Sequence, residues 1–283
     1  SVGGSQKMGE PGNFTGTFTA SVKVLYEKLD FAFEMLEEIL LRSKLTDEKR
    51  LGEILDETMS RARMRLENSS HSSAAMRAAS YYSPLSSFYD RTGGIGFYQF
   101  LEKITERCSK EEGYRLKLGK KLMEVAKTLF TASNMTVSYT ADEEGYGRLP
   151  AALAAFKAVL PEGNGIRYPY EFKPELKNEG FRTASQVNYV ACCGTFGESA
   201  YTGALKVLKV ILNYEYLWVN LRVKGGAYGC MSSFGRNGET MLVSYRDPKL
   251  GETNRVYEGI PEYLRTFSID DRDMTKYVIG AFS

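Results

Sequence analysis

The 283-residue sequence predicts an α+β fold in which an antiparallel-rich sheet carries helices packed on one of its faces. Apolar residues follow helical spacing through most of the first half, while the last hundred residues mix strand and helix patterns. An Asn-Gly pair at 237–238 lies between two strand patterns, which is a strong signal for a hairpin of antiparallel strands. These observations predict helices grouped around a small antiparallel sheet.

Helices dominate the predicted elements of the first half. Leu29, Phe33, Leu36 and Leu40 recur at helical spacing, and Thr46-Asp47 is a start signal for a second helix. The further elements predicted here are an Ala/Ser-rich segment suited to close helix packing at 71–82, helices over 97–104 and 116–130, and an alternating strand over 135–140. Residues 1–5 follow neither pattern and resemble a flexible leader rather than a signal peptide.

Residues 142–178 are richer in Gly, Pro and charge than their surroundings, and they are the best candidate for a domain boundary. One short helix is predicted within them, at 151–160. The elements predicted afterwards are a strand over 187–193, a long helix over 203–220, hairpin strands over 228–234 and 241–245, and helices over 254–266 and from 271 to the end. Neither end of the sequence carries a clear stop signal, so we expect a fragment of a larger protein.

Composition excludes several classes of function. The net charge of +2 comes from interspersed acids and bases, so neither nucleic acid nor an anionic membrane is expected as a partner. No apolar run approaches the roughly 20 residues of a membrane-spanning helix. The four cysteines include the adjacent pair Cys192 and Cys193, which makes a poor disulfide framework, so reduced thiols and a cytoplasmic location are the default expectation.

The most informative segment is 221–229, with the sequence L-R-V-K-G-G-A-Y-G. Arg222 and the Tyr228 hydroxyl, held around Gly225 and Gly226, suit the binding of a peptide carbonyl or of an oxyanion that develops from it. Glycine permits close approach of backbone or ligand. The structural alternative is equally open at this point: Arg222 would close a helix C-terminus and Tyr228 would pack in a strand.

Other catalytic machinery is hard to find. Zinc hydrolysis normally needs three protein ligands, but the chain has a single histidine, His71, which we interpret as a capping or packing residue, and we expect no metal site. A cysteine enzyme would need Cys108 or Cys230 as a reactive, acidic thiol, and no local signature supports either. The Gly93-Gly94-Ile95-Gly96 run lacks the end of a phosphate loop and indicates a turn between helices.

A second segment, Ser244-Tyr245-Arg246-Asp247-Pro248, directly follows a predicted strand. Asp247 is expected to cap the next helix or to pair with Arg246, and Pro248 to end strand pairing. A structural role is therefore favoured for this segment.

Together, these two segments resemble the C-terminal half of presequence-protease-type zinc metallopeptidases of the pitrilysin/insulinase family. The R-x-x-x-G-G-A-Y-G and S-Y-R-D-P runs carry the resemblance, which extends upstream to Glu179-Gly180-Phe181 and to the segment that begins at His71. The resemblance implies a hydrolase in which related α+β domains close around an unstructured peptide, with zinc on an inverted H-x-x-E-H motif in a missing N-terminal half. That half would be this chain's main partner.

The resemblance also implies a division into domains and a role for residues 221–229. Residues 1–145 would be the later part of the third family domain, 146–178 a linker, and 179–283 most of the fourth domain. Arg222, Gly225, Gly226 and Tyr228 would contact the substrate or its transition state across the chamber. The isolated chain, without the zinc motif, is expected to be inactive.

Two alternatives stay open at this stage. The chain could belong to a catalytically inactive homologue that serves as a structural or peptide-holding scaffold; the presence or absence of the H-x-x-E-H motif in the parent protein would decide this. A cysteine-based redox or hydrolytic enzyme is the other, and it predicts a low thiol pKa at Cys108 or Cys230.

Overall fold

The computed structural model of the chain describes residues 1–7, 10, 13–163 and 170–282, with the side chain of Glu198 excepted. Residues 164–169 of the predicted linker and the terminal Ser283 lie outside the described residues. In the described part, no helix combines the length and the apolar character needed to cross a membrane.

The elements follow one another in this order. The N-terminal part contains β1 (Val2–Gln6), β2 (Phe14–Phe18), α1 (Leu29–Leu41), α2 (Glu48–Asn68), α3 (Ser70–Ala79), α4 (Pro84–Gly93), α5 (Ile95–Lys110), α6 (Tyr114–Leu129) and α7 (Glu143–Val159). The C-terminal part contains β3 (Ala191–Thr195), α8 (Ala204–Ile211), a π-helix (Leu212–Val223), β4 (Gly229–Phe234), β5 (Glu239–Tyr245), α9 (Gly251–Glu258), α10 (Ile260–Thr266) and α11 (Asp271–Gly280). The α+β class is confirmed.

Packing divides the chain into two compact units. The helical unit comprises Ser1 and residues 18–60 and 101–171, and the mixed unit comprises residues 2–17, 61–100 and 172–283. The helical unit is built largely on the packing of α1 against α7, in which the rings of Phe33 and Phe156 lie 5.3 Å apart. Ala32 of α1 and Ala152 of α7 are also buried, and small side chains of this kind let packed helices approach closely.

The prediction of a strand over 135–140 was wrong. These residues are irregular, although their polar and apolar residues alternate. Tyr139 instead packs on Tyr146 with ring centroids 5.5 Å apart, and the Tyr146 hydroxyl donates to the Tyr139 carbonyl at 2.9 Å. The following helix begins at Glu143 rather than at 151, because the Asp142 side chain accepts from the Gly145 N–H at 3.0 Å and caps it.

The sheet of the mixed unit has the order β3–β5–β4, with antiparallel neighbours. The predicted hairpin between β4 and β5 is confirmed: the Gly235 N–H donates to the Glu239 carbonyl at 2.8 Å. Gly238 has a φ of +78°, a conformation that glycine adopts without steric cost. The Asn-Gly pair therefore performs the turn that the sequence predicted.

Helices contact both faces of this sheet, whereas the sequence predicted one face. On one side, Leu242 and Val190 pack with Leu217 and Leu221 of the π-helix. On the other side, α3 lies against β3 and β5. Side chains alternate along a strand, and β5 has apolar residues at successive positions, so both of its faces are buried.

The N-terminal residues form the hairpin β1–β2 rather than the flexible leader predicted from sequence. Tyr89 of α4 fixes this hairpin, since its hydroxyl donates to the Gly4 carbonyl at 2.5 Å and accepts from the Gly4 N–H at 3.2 Å. A Cβ at Gly4 would lie 2.7 Å from a methyl group of Leu85, so a larger residue here would have to displace the Leu85 side chain. Such long-range contacts leave no trace in local sequence patterns.

One side chain covers the middle of the edge strand β4. The Asn213 Oδ1 atom, from the π-helix, accepts from both the Ser232 N–H at 2.8 Å and the Ser232 hydroxyl at 2.9 Å. Ser232 is buried. The π-helix and the strand are therefore joined by hydrogen bonds as well as by apolar packing.

Candidate functional site

Residues 221–229, called here the Tyr228 turn, connect the π-helix to β4. The Ala227 N–H donates to the Leu221 carbonyl at 2.9 Å, and the Gly226 N–H donates to the Arg222 carbonyl at 3.0 Å. Gly226 has a φ of +84°, and a Cβ on Gly225 would lie 2.5 Å from the Leu221 oxygen. The glycine pair is therefore required by the tight reversal of the chain.

The π-helix determines which side chains point outward before this turn. Leu212, Leu217 and Leu221 are buried, while Tyr214 and Trp218 are exposed. π-helices are rare and occur frequently at functional sites. The sequence predicted one long helix over 203–220, and its change from α to π at Leu212 was not foreseen.

Arg222 and Tyr228 are in direct contact. The Arg222 Nη1 atom donates to the Tyr228 backbone carbonyl. The guanidinium carbon lies 4.6 Å from the Trp218 ring centroid and 5.1 Å from that of Tyr228, so the cation is held between two aromatic rings. The alternative that Arg222 closes a helix C-terminus is therefore only partly met. Arg222 lies in the last turn of the π-helix, but its hydrogen bond goes to the Tyr228 carbonyl.

Tyr228 itself is 63% exposed, although its backbone is fixed. Its N–H donates to the Tyr245 carbonyl at 3.0 Å, and its ring lies 5.9 Å from that of Tyr245. A phenol held by its backbone and by a neighbouring guanidinium, with its side chain open to solvent, is well placed to donate a hydrogen bond to a ligand.

The second predicted segment supports this turn. The Asp247 side chain is buried and accepts from the Lys249 N–H at 2.9 Å and from the Thr253 hydroxyl at 2.6 Å. It thus ties this segment to the first turn of α9, but the prediction that it caps the helix was wrong, because Leu250 occupies the N-cap position and no side chain caps it. A Cβ on Gly226 would touch Pro248 at 3.5 Å, so the two segments lie against each other.

His71 is the second residue of α3, and its packing role is confirmed. Its ring stands edge-on to Tyr245 with centroids 5.0 Å apart, and it also contacts Tyr189 at 6.5 Å. Tyr245 therefore links His71 to Tyr228. Sequence reasoning missed Trp218 and Tyr245 as members of this cluster, although the spacing of four residues between Trp218 and Arg222 could have indicated Trp218.

The Gly93–Gly96 run forms the turn between α4 and α5, as predicted. We call residues 90–96 the Asp90 turn. Its glycines make room for a buried carboxylate, since a Cβ on Gly96 would lie 2.4 Å from an Asp90 oxygen. The carboxylate accepts from the Gly96 N–H at 3.2 Å and from Arg77 at 2.7 Å.

The cysteines do not have the low pKa that the cysteine-enzyme alternative predicts. Burial raises the pKa of the Cys108 thiol despite a nearby arginine. It raises the pKa of Cys193 to about 12 and that of Cys230 to about 11, with Arg222 lowering the latter slightly. Thiolates are therefore scarce at neutral pH, and the described cysteines are free rather than disulfide-bonded.

Comparison with known proteins identifies the family of this chain. Residues 2–104 match a family model that describes a peptidase-associated domain, and residues 178–283 match the family model for the PreP C-terminal domain. The chain belongs to the presequence-protease branch of the pitrilysin family. The second model includes both the Tyr228 turn and the segment around Asp247.

Three relatives illustrate the range of similarity. Protein HypA of Clostridium perfringens is 34% identical over 262 residues, covering 92% of this chain and 26% of that protein. Presequence protease 1, chloroplastic/mitochondrial, of Arabidopsis thaliana is 28% identical over 91% of this chain and 24% of the relative. The mitochondrial presequence protease of Saccharomyces cerevisiae is 24% identical over 90% and 27%. The chain spans about a quarter of the length of these three relatives.

Within the part of the chain that the structure describes, no three His, Cys, Asp or Glu side chains gather in a group that could hold a metal ion. The donor atoms described here therefore do not fit the zinc ion of a presequence protease.

Proposed function

We propose that this chain is the C-terminal portion of a zinc metalloendopeptidase that degrades unstructured peptides in a closed chamber, of which it forms part of the wall. Zinc would be held by an N-terminal half of the same polypeptide, outside this chain. The observation that carries the proposal is the Trp218–Arg222–Tyr228 cluster, which fixes an exposed phenol on a rigid turn. The presequence-protease relatives support the peptide as substrate class.

In this proposal, Tyr228 donates a hydrogen bond to a substrate carbonyl and holds it more strongly as negative charge develops on the oxygen. A donor of this kind is typically worth about 3 kcal/mol in the transition state. The fixed backbone of Tyr228 favours this role, because a donor that is already positioned requires no reorganisation during the reaction.

Arg222 acts differently from Tyr228. One of its N–H groups is committed to the Tyr228 carbonyl, and its guanidinium contacts the rings of Trp218 and Tyr228. Arg222 thus positions Tyr228, and its remaining N–H groups add positive charge near the bound carbonyl. Gly225 and Gly226 permit the substrate backbone to approach the turn, since neither carries a side chain.

The test uses the full-length parent protein with Tyr228→Phe, which removes one hydroxyl. We expect kcat/KM for peptide cleavage to fall on the order of 10²-fold to 10³-fold, with the zinc content unchanged. Tyr214→Phe is the matched control, because Tyr214 is a similarly exposed phenol on the adjoining π-helix. Equal kcat/KM for wild type and Tyr228→Phe would refute the role of Tyr228.

The isolated chain should bind peptide weakly and cleave none. Incubating it with an unstructured peptide and following the products by mass spectrometry tests this directly. Stoichiometric zinc or peptide cleavage by the purified chain would contradict the proposed division of labour. No cleavage by the full-length protein would instead favour the inactive scaffold.

A further inference from the structure

A half-open groove of about 400 Å³ lies within the mixed unit, between α3, α4 and the β4–β5 hairpin. It lies on the sheet face opposite the π-helix, since it is lined by Met241 and Val243 whereas Leu242 packs on the other side. Its volume is at the lower end of the range for ligand-binding clefts. One or two amino-acid side chains would fill it.

The lining is mainly apolar. Three methionines contribute to it: Met76 from α3, Met231 from β4 and Met241 from β5. Methionine side chains are flexible and polarisable, so they adapt to ligands of different shapes. Among the described lining residues Glu239 is the one with a formal charge at neutral pH, so the groove favours apolar side chains and disfavours acidic ones.

Side-chain contacts connect the groove to the Tyr228 turn. His71 lines the groove and contacts Tyr245, and Tyr245 contacts Tyr228. Tyr245 and Met241 lie on the same face of β5, four residues apart, which corresponds to about 13 Å along an extended strand. An extended peptide needs roughly four residues to cover the same distance.

We infer that this groove binds a large apolar side chain, such as leucine or methionine, of the same extended peptide whose carbonyl is held by Tyr228, roughly four residues away along that peptide. The inference rests on the proposed function, since it assumes a peptide at Tyr228. It adds a second contact that selects substrates by an apolar residue remote from the held carbonyl.

The chain offers a separate reporter for each end of such a peptide. Trp218, the single tryptophan of the sequence, contacts Arg222 beside Tyr228, so its fluorescence reports on that end. Methyl-labelled methionine gives NMR signals for Met76, Met231 and Met241 in the groove. The ligands are two acetylated and amidated decapeptides of Gly, Ala and Ser, one of which carries a single central Leu in place of Ser.

We expect the Leu peptide to bind the chain about tenfold more tightly than the Ser peptide, because burying a leucine side chain favours binding by about that factor or more. The Leu peptide should shift the three groove methionine signals, whereas the Ser peptide should not. Ser233→Phe fills the groove and should make both affinities equal. Ser233→Ala is the matched control and should keep the preference for Leu.

Tyr228→Phe should weaken both peptides by the same factor and leave the preference for Leu intact. If it changes neither affinity while the preference persists, the proposed role of Tyr228 fails and the groove assignment stands. Equal affinities in the wild type, or a preference that survives Ser233→Phe, would overturn the groove assignment.

Two further measurements keep the test decisive. If Ser233→Phe does not fold, Met231→Glu introduces a charge into the groove and should likewise abolish the preference for Leu, with Met231→Leu as its control. Analytical ultracentrifugation examines a different occupant, a second copy of the chain. A dimer that dissociates upon Ser233→Phe or Met231→Glu would overturn the assignment to a peptide side chain.

Discussion

The Asp90 turn and the Tyr228 turn have similar sequences, but their arginines have different partners. Both contain a glycine pair, and both contact an arginine. In the Asp90 turn, Arg77 is held by the carboxylates of Asp90 and Glu179, each at 2.7 Å, and its side chain is only 18% exposed. In the Tyr228 turn, Arg222 lies between aromatic rings and supports a residue that is 63% exposed.

The comparison shows why glycine runs and arginines do not by themselves indicate function. In the Asp90 turn, the glycines make space for the Asp90 carboxylate, which pairs with Arg77. The polar groups of this turn therefore bond to one another rather than to a ligand. In the Tyr228 turn, the cation is stabilised by rings that accept no strong hydrogen bond, and the phenol faces solvent. The two turns differ in whether a polar side chain remains exposed to a ligand.

The largest expected difference concerns stability. Arg77→Met should lower the free energy of unfolding of the mixed unit by about 3 kcal/mol, because it leaves the buried Asp90 carboxylate without its partner. Arg222→Met should lower it by less than about 1 kcal/mol, since stacked arginines at exposed sites contribute little. Urea unfolding followed through Trp218 fluorescence measures both variants. A larger loss for Arg222→Met would contradict the comparison.

A smaller effect should separate the two glycine pairs. Gly96→Ala would push the Asp90 carboxylate from its position, and we expect a loss of about 2 kcal/mol in stability with peptide affinity unchanged. Gly226→Ala forces alanine to a φ of +84° and should cost about 1–2 kcal/mol. It should also weaken peptide binding, since it distorts the turn that carries Tyr228.

Gly251→Ala is the control for both glycine variants. A Cβ there meets open space at the start of α9, so stability and affinity should stay within about 0.5 kcal/mol of wild type. Equal losses of peptide affinity in Gly96→Ala and Gly226→Ala would show that the two turns are not functionally distinct.

The smallest expected effect lies at Cys230, the residue that follows the Tyr228 turn in β4. Burial raises the pKa of this thiol to about 11, and the positive charge of Arg222 opposes that rise. Arg222→Met should therefore raise the pKa further and slow alkylation by iodoacetamide. Rates are measured between about pH 7.5 and 9.5, around the pKa of an ordinary thiol, in a chain whose other cysteines are replaced by serine. Faster alkylation of the variant would contradict the placement of Arg222 near this thiol.

The raised pKa of Cys230 also determines how the stability of the folded chain depends on pH. An unfolded cysteine has a pKa of about 8.5, below that of folded Cys230, so the folded chain retains a proton that the unfolded chain releases. The contribution of this thiol to stability is complete below about pH 8 and is lost as the pH rises toward about 11.

Local sequence signals predicted the parts of the structure that depend on local chemistry. The Asn237-Gly238 hairpin and the helix-to-helix turn at Gly93–Gly96 follow from backbone preferences of a few neighbouring residues. The contact of Arg222 with Tyr228 was also anticipated, because the two residues lie close together in the sequence. The proposed role of that contact toward a substrate remains a prediction.

Two of the wrong predictions concern segments whose structure is determined by residues distant in the sequence, and a third has a local cause. Residues 135–140 alternate as a strand does, but tyrosine contacts hold them in an irregular segment and no partner strand pairs with them in the described part of the chain. Residues 1–5 carry no strand pattern, yet Tyr89 anchors them in a hairpin. The helix predicted over 254–266 is divided at Gly259, where Pro261 lacks the N–H needed for continuous pairing. Packing overrides propensity in the first two cases.

The contact between Asn213 and Ser232 has a consequence for self-association. An edge strand with free N–H groups is a template on which other chains can pair and aggregate. Asn213 occupies the Ser232 N–H at the middle of β4, so a stray strand cannot extend the sheet there without displacing it. One amide side chain thereby protects this edge against growing into a fibril-like sheet.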